Sequence, residues 1–405
     1  MKPTHCLPLF PNDIAEWWWE EAQSRWPDLS EDKLLNIVRQ EIVKQSDRFN
    51  KLRNFKCDAY GKRDLSILAY GNFYFSRTWN AMAFSLGEAL FFRGWVPPQK
   101  GPIRVLDLGS GTGASGLACL QILRDKGIEN HIRLEAVDYS SKSLAFLKKL
   151  HDSKFIHWPN TRISTKKQDL RFLKDNIVQR KYDLILLGFS LNELINLDTS
   201  NDNEYYKKIL TLLPDLLKTN GFAIITEPAR KDTCHLLHQK CSEIVDGFKD
   251  LHLHSPYFND VSCPLAERKA KYFSHEVRKI LPFHLIEKIN RPLNLEIREV
   301  KFGLIMIGIQ KPKEIGQCNE VCRIISPIKK RKGTISFFGM NQYGNECKYE
   351  LQRRFLSKKE ISAVMLLTRG DVLELKNIKI DEKSECVRVE RYNDLQRLFI
   401  LRQRN

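Results

Sequence analysis

The stretch Arg104-Val-Leu-Asp-Leu-Gly-Ser-Gly-Thr-Gly113 decides the fold. Val105 to Leu108 is an apolar run of the kind a buried parallel strand carries. Glycines follow at 109, 111 and 113, and Leu117 to Leu123 then reads as an apolar helix. Strand, glycine turn and helix in succession present bare backbone at the carboxyl edge of a doubly wound sheet, where nucleotide-like ligands bind. Glycine is demanded there because a side chain would block the ligand and because the turn samples positive φ.

Working outward, further strands are predicted at 132–137, 182–187, 221–226, 293–300 and 303–309, with helices at 114–124, 141–150 and 205–218. The last two strands have no helix between them and predict an antiparallel hairpin closing the sheet edge. Residues 12–95 repeat apolar residues at helical spacing, and Tyr70 to Trp79 is unusually aromatic. That cluster suits helix packing first, with a cover over a ligand as the alternative. Pro97-Pro-Gln-Lys-Gly-Pro102 punctuates the chain before the sheet. After residue 311, short alternating segments at 333–339, 347–355, 372–380 and 386–392 predict a small β-barrel or curled sheet, OB-like at best. The expected organisation is a helical N-terminal region (1–98), an α/β domain (99–311) with an insertion at 229–292, and a basic β-rich extension (312–405).

The composition, 42% hydrophobic and 28% charged, is that of a water-soluble globular chain. No apolar run approaches the ~20 residues of a membrane-spanning helix, so no membrane partner is expected. The first residues lack a signal peptide's apolar core and a transit peptide's Arg-rich helix, which favours a cytoplasmic protein, with the mitochondrial matrix as the alternative. The formal net charge is +17, and an excess of that size favours polyanions, RNA or DNA first. Residues 301–405 carry 22 Lys and Arg against 12 Asp and Glu, so this tail holds over half of the excess. Within it, Lys329, Lys330, Arg331 and Lys332 read as a phosphate-contacting run or a solvated turn. Ten cysteines without a C-x-x-C spacing read as buried free thiols.

With Asp-Leu before it, the glycine spacing resembles motif I of class I S-adenosylmethionine (SAM) methyltransferases more than the fingerprint of dinucleotide dehydrogenases. The resemblance implies a Rossmann-like α/β sheet and cofactor contacts from Asp107, Gly109, Ser110, Gly111 and Gly113. Asp138, closing Leu134-Glu-Ala-Val-Asp138, sits where a ribose-binding carboxylate belongs, with a helix cap as its other reading. Asp169 is placed to accept the adenine amino group. The fourth strand leads into Phe189-Ser-Leu-Asn-Glu-Leu194, without the D/N-P-P-Y that orients a target nitrogen and without a Pro-Cys pair. Phe189, Ser190, Asn192 and Glu193 are therefore the candidates beside the methyl-transfer position.

The sequences D-L-G-S-G-T-G, F-S-L-N-E-L, I-T-E-P, S-C-P-L and R-G-D, in that order over residues 107–371, are similar to those of the ribosomal small-subunit methyltransferase-like family. That resemblance spans roughly residues 30–375 and implies association with small-subunit rRNA or a pre-ribosomal particle. Many relatives hold an iron–sulfur cluster on four cysteines. Here Cys263 matches, while Tyr257 and Ser274 stand at two ligand positions and residues 334–338 contain no cysteine for the fourth. No iron–sulfur cluster is expected. A rearranged metal site from Cys234, His235, His238, Cys241 and Cys263 is the alternative. The expected function is SAM-dependent methylation of RNA. The rivals are a SAM-binding ribosome-assembly factor without catalysis, and a small-molecule methyltransferase.

Overall fold

Strands covered by helices on both faces must be apolar along their length, and the segments flanking the glycine turn meet that demand. The computed structural model describes residues 4–49, 60–173, 180–194, 202–266, 272–381 and 385–403. In chain order the N-terminal part forms β1 (Thr4–Leu7), α1 (Asn12–Arg25), α2 (Glu31–Asp47), α3 (Asp64–Phe73) and α4 (Phe75–Phe91). There follow β2 (Ile103–Leu108), α5 (Ala114–Asp125), β3 (Ile132–Asp138), α6 (Ser141–Ser153), β4 (Thr161–Lys167), β5 (Tyr182–Gly188), α7 (Asp202–Thr211), α8 (Leu213–Leu216) and β6 (Leu217–Pro228). Next come α9 (Lys231–Gly247), β7 (His252–Ser255), β8 (Glu276–Lys279), α10 (His284–Asn290) and β9 (Glu299–Gly308). The C-terminal part is β10 (Glu320–Ile324), β11 (Lys329–Lys330), β12 (Thr334–Asn341), β13 (Glu346–Gln352), α11 (Lys358–Met365), β14 (Val372–Leu375), β15 (Ile378–Asp381), β16 (Cys386–Val389) and β17 (Leu395–Gln403).

The central sheet has eight strands in the order β4-β3-β2-β5-β6-β9-β7, with β8 beside β9. From β4 to β6 all neighbours are parallel. β9 runs antiparallel to β6, from Phe222 opposite Gly308 to Pro228 opposite Phe302. This is the Rossmann-like α/β sheet expected from the glycine turn, with an antiparallel strand beyond its parallel part. The order reverses between β2 and β5, the topological switch point where such sheets open a crevice at their carboxyl ends. One face packs under α1 to α6, with Trp17, Trp18 and Trp19 all buried among them, and the other under α7 to α9.

Three expectations for this sheet change. The hairpin at 293–300 and 303–309 is one strand, β9. Residues before it turn instead, with Asn294 at φ 49° and the Asn290 amide bonded to both the C=O and N–H of Leu295, at 2.8 and 3.1 Å. The antiparallel edge is completed by β7 and β8 from the 229–292 segment. The helix expected to 218 ends at Thr211, a second short helix from Leu213 carries Pro214 in its first turn, and the backbone is extended from Leu217.

The C-terminal part is β-rich as expected and larger than its four alternating segments. It forms a nine-stranded sheet, β1-β17-β14-β10-β12-β13-β16-β15 with β11 on β12. Its edge strand β1 comes from the other end of the chain, parallel to β17 with Thr4 opposite Ile400.

Buried charges tie these parts together. Arg323 on β10, 1% exposed, engages all five guanidinium N–H donors. Two go to Glu88 of α4 at 2.9 Å each, two to Glu276 of β8 at 2.7 and 3.0 Å, and one to the Pro256 carbonyl at 3.0 Å. Arg93 donates to Glu88 at 2.8 Å, and Arg278 reaches Glu276, Asp371 and the Gly370 carbonyl. The Arg369-Gly-Asp371 motif thus closes the network, and Gly370 is needed because a Cβ there would fall 1.8 Å from a Glu276 oxygen.

Candidate cofactor and substrate cleft

β2 delivers its backbone into the glycine turn, whose three glycines all have positive φ: 73° at Gly109, 52° at Gly111 and 89° at Gly113. The turn is packed unequally. A Cβ on Gly109 would lie 2.4 Å from Ser190 Cβ, and one on Gly113, the residue capping α5, 2.2 Å from Leu147 Cδ1. A Cβ on Gly111 would meet nothing within 4 Å, and Gly111 borders the cleft. Gly113→Ala should therefore destabilise the fold. Gly111→Asn, a residue that tolerates the left-handed region, should melt near the parent temperature yet lose small-ligand binding. Thermal melts with and without SAM check both.

The carboxylates behind the turn hold it in place. Asp107, fully buried, accepts from the Gly116 N–H at 2.9 Å, and its other oxygen has no partner. Burial pushes its carboxyl up to about 7, with the nearby charge of Asp138 adding to the effect. Asp138 accepts from the N–H of Gly111 at 2.9 Å and of Ser140 at 2.8 Å. Burial raises it to about 6 against the pull of those amides. The helix cap read as its alternative belongs to Ser140, whose hydroxyl accepts from the Ser143 N–H. Asp138 is left at the cleft floor with lone pairs to offer.

Opposite, β5 ends at Gly188 and is followed by Phe189 at φ 58°. The Ser190 side chain is buried with its hydroxyl unpartnered, as is that of Ser110 across the cleft. Asn192 donates its amide to the Phe189 carbonyl at 2.9 Å. The shape of this edge is set by Glu227, which the sequence reading left without a role. Completely buried at the end of β6, its carboxylate accepts from the backbone N–H of Leu191 at 2.9 Å and of Asn192 at 3.2 Å. Its only prior signal was its place in I-T-E-P, one strand over from the loop it braces.

These edges enclose a cleft of about 790 Å³, within the range of small-molecule and cofactor sites. Gly109, Ser110, Gly111, Asp138, Asp169, Phe189, Ser190, Asn192 and Glu193 all border it. Asp107 and Gly113 lie behind the wall. Asp169 is there, but its carboxylate is already gripped by Arg171. Burial opposes ionisation of Asp169, and the bonds from Arg171 outweigh it and hold the group below its ordinary value. The aromatic cluster divides: Trp79 and Phe75 are core, while Tyr70 and Tyr74 line the cleft. The Tyr70 hydroxyl lies 2.9 Å from that of Thr78. Basic side chains at the rim, missed in sequence because they come from separate segments, include Lys62, Arg77, Lys167 and Lys301.

The alternative metal set does not assemble. Cys234, His238 and Cys241 follow one buried stripe of α9, and among the described residues no three His, Cys, Asp or Glu side chains converge to hold an ion. The donors do not fit a four-thiolate cluster either. Cys263 sits against the Tyr257 hydroxyl, next to Ser274, and burial pushes its thiol up to about 12. Lys329, Lys330, Arg331 and Lys332 are all exposed, on β11 and the turn after it, outside the cleft.

A family model described as mitochondrial small ribosomal subunit Rsm22 matches residues 65–363. No curated protein sequence matches the chain. Among solved structures, a SAM-dependent methyltransferase from Clostridium acetobutylicum is similar over 80% of this chain and 85% of its own, with 13% identity and a TM-score of 0.29. The CcbJ methyltransferase of Streptomyces caelestis covers 76% of this chain and 84% of its own, at 12% identity and a TM-score of 0.26. TrmN from Thermus thermophilus covers 58% and 52%, at 13% identity and a TM-score of 0.33.

Proposed function

The chain belongs to the mitochondrial small ribosomal subunit Rsm22 family, and from that premise we propose that its cleft binds SAM and directs methylation of small-subunit RNA. The observation that carries this reading is the convergence of the glycine turn, Asp138 and the Phe189–Glu193 edge on one cleft at the sheet's switch point. The unpartnered buried hydroxyls of Ser110 and Ser190 there are the kind a polar ligand satisfies.

Asp138 would accept the ribose hydroxyls, Asp169 the adenine amino group, and the glycine turn, organised from behind by Asp107, would hold the methionine end. When bound, SAM supplies a methyl group on a sulfonium centre, and little acid–base help is needed once a nucleophile is held in line with it. Phe189, Ser190, Asn192 and Glu193 border that position. The rim cations suit phosphates flanking a target nucleotide. No helix among the described residues is long and apolar enough to cross a membrane. The family description favours a mitochondrial setting over the cytoplasmic one.

The second reading, an assembly factor that binds SAM without catalysis, draws on the β5 edge. The Asn192 amide and the N–H groups of Leu191 and Asn192 are all engaged in holding their own loop. Transfer of tritiated methyl from SAM to small-subunit RNA, naked and in particles made without this protein, separates the two. Label in the RNA is the expected result; tight SAM binding with no label on either acceptor supports the assembly factor. A small-molecule methyltransferase would bind RNA negligibly even at low salt.

A further inference from the structure

The exposed Lys329–Lys332 run is one part of a larger surface assembled by the C-terminal sheet. The turn after β11 is closed by the Arg331 N–H donating to the Thr334 carbonyl at 2.9 Å. The chain leaving β13 is pinned to the same turn. The Arg353 N–H donates to the Gly333 carbonyl at 2.8 Å, and its guanidinium to the Arg331 carbonyl at 3.2 Å. Arg354 follows, exposed, and Ser357 then caps α11 so that Lys358 and Lys359 occupy an exposed first turn. β16 runs parallel to β13 with Leu351 opposite Val389, so Arg391 leaves the sheet at the same end as Arg353.

Acidic groups nearby are already engaged. Glu360 accepts from the Ser357 N–H at 2.7 Å, and Glu390 pairs with Lys379 at 2.7 Å. In the middle stands Phe355, 56% exposed, with the Arg354 guanidinium 4.6 Å from its ring centroid. Exposed cations drawn from three chain segments suit the spaced phosphates of a polyanion. An exposed ring among them suits a base face, which an unpaired strand offers and a duplex hides.

We propose that this surface binds single-stranded RNA, with phosphates on the cations of the 329–332, 353–354 and 358–359 segments and one unpaired base stacked on Phe355. The choice of RNA as the polyanion rests on the function proposed above; the stacking site goes beyond it. The test is fluorescence anisotropy of the full-length chain with a labelled oligouridylate of about 12 nucleotides, within the site sizes such surfaces cover. No SAM is added. Phe355→Ala should weaken binding by about 5- to 150-fold, the range measured for loss of one stacked base, and leave the salt dependence unchanged. The Arg354→Gln/Lys358→Gln/Lys359→Gln variant should flatten the slope of log K against log salt by about 0.7 for each phosphate that is no longer neutralised. All four side chains are exposed, and matched melting temperatures would establish that the variants fold. Equal affinity of Phe355→Ala and the parent, or tighter binding of a duplex of the same length, would overturn the proposal. Asp138→Asn should bind the oligonucleotide like the parent, so failure here is distinguishable from failure of the cleft reading.

Discussion

Arg323→Met is expected to lower the free energy of unfolding by about 3–5 kcal/mol, the usual consequence of removing one partner from a buried ion pair. The cost arises in what remains. Glu88 and Glu276 are each 2% exposed, and both take two hydrogen bonds from Arg323. Arg93 and Arg278 still donate to one carboxylate each, too little to satisfy two buried carboxylates that lose two hydrogen bonds apiece. Because α4, β8 and β10 meet at this side chain, the damage should reach beyond the C-terminal sheet. Urea denaturation followed by tryptophan fluorescence, whose seven reporters all lie within residues 17–158, should show the helical region losing stability together with the C-terminal sheet followed by amide hydrogen exchange. Adding Glu276→Gln to Arg323→Met should recover part of the loss, since Arg93 then stays paired with Glu88 and Arg278 with Asp371, and no uncompensated charge is buried. A change within ~1 kcal/mol for Arg323→Met alone, the range of exposed pairs, would show that the network does not join these elements.

Binding of SAM should weaken as the pH falls through about 6, and Asp138→Asn should remove that dependence. Burial first, opposed by the Ser140 and Gly111 amides, lifts the Asp138 carboxyl from its ordinary value to about 6. Below that pH the group is protonated and has lost the charge that makes it a strong acceptor for ribose hydroxyls. At pH 8 the variant should bind roughly 10- to 150-fold more weakly, equivalent to the ~1.5–3 kcal/mol of a hydrogen bond to a charged group. At pH 5 variant and parent should converge. The sign for the ligand-free protein is opposite. A carboxyl whose folded value is raised contributes stability that is complete below its unfolded value near 4 and is lost as pH rises through the folded value. Asp138 at about 6 and Asp107 at about 7 act in the same direction. These two groups should therefore make the ligand-free protein less stable at pH 8 than at pH 5, and SAM should narrow the gap. Calorimetry and thermal melts across that range provide both readings, and a flat affinity profile would remove Asp138 from the ribose site.

What could be read from the sequence follows the distance over which each residue acts. The glycine turn, Asp138 and the Phe189–Glu193 edge are local signals: a strand ends, and polar residues appear at its carboxyl end. Their convergence follows once parallel strands share one sheet. Glu227 was opaque because its partners are N–H groups 35 and 36 residues away on another strand's loop. The hairpin at 293–309 was misread because Leu293 and Leu295 are apolar for packing against the core, not for lying in a strand. The pairing of β1 with β17 joins the two ends of the chain, and no local pattern encodes it. The basic surface was one-third legible: Lys329–Lys332 is a run, while Arg353 and Arg391 reach it only through sheet register.

The claim on which the account turns is that the cleft between the glycine turn and the β5 edge is a SAM site. Titration calorimetry of the full-length chain with SAM tests it most directly. Saturable binding at one site per chain, abolished by Gly111→Asn in a protein that still folds, is the predicted result. Absence of saturable heat from the folded parent protein at pH 8, where Asp138 is ionised, would contradict it.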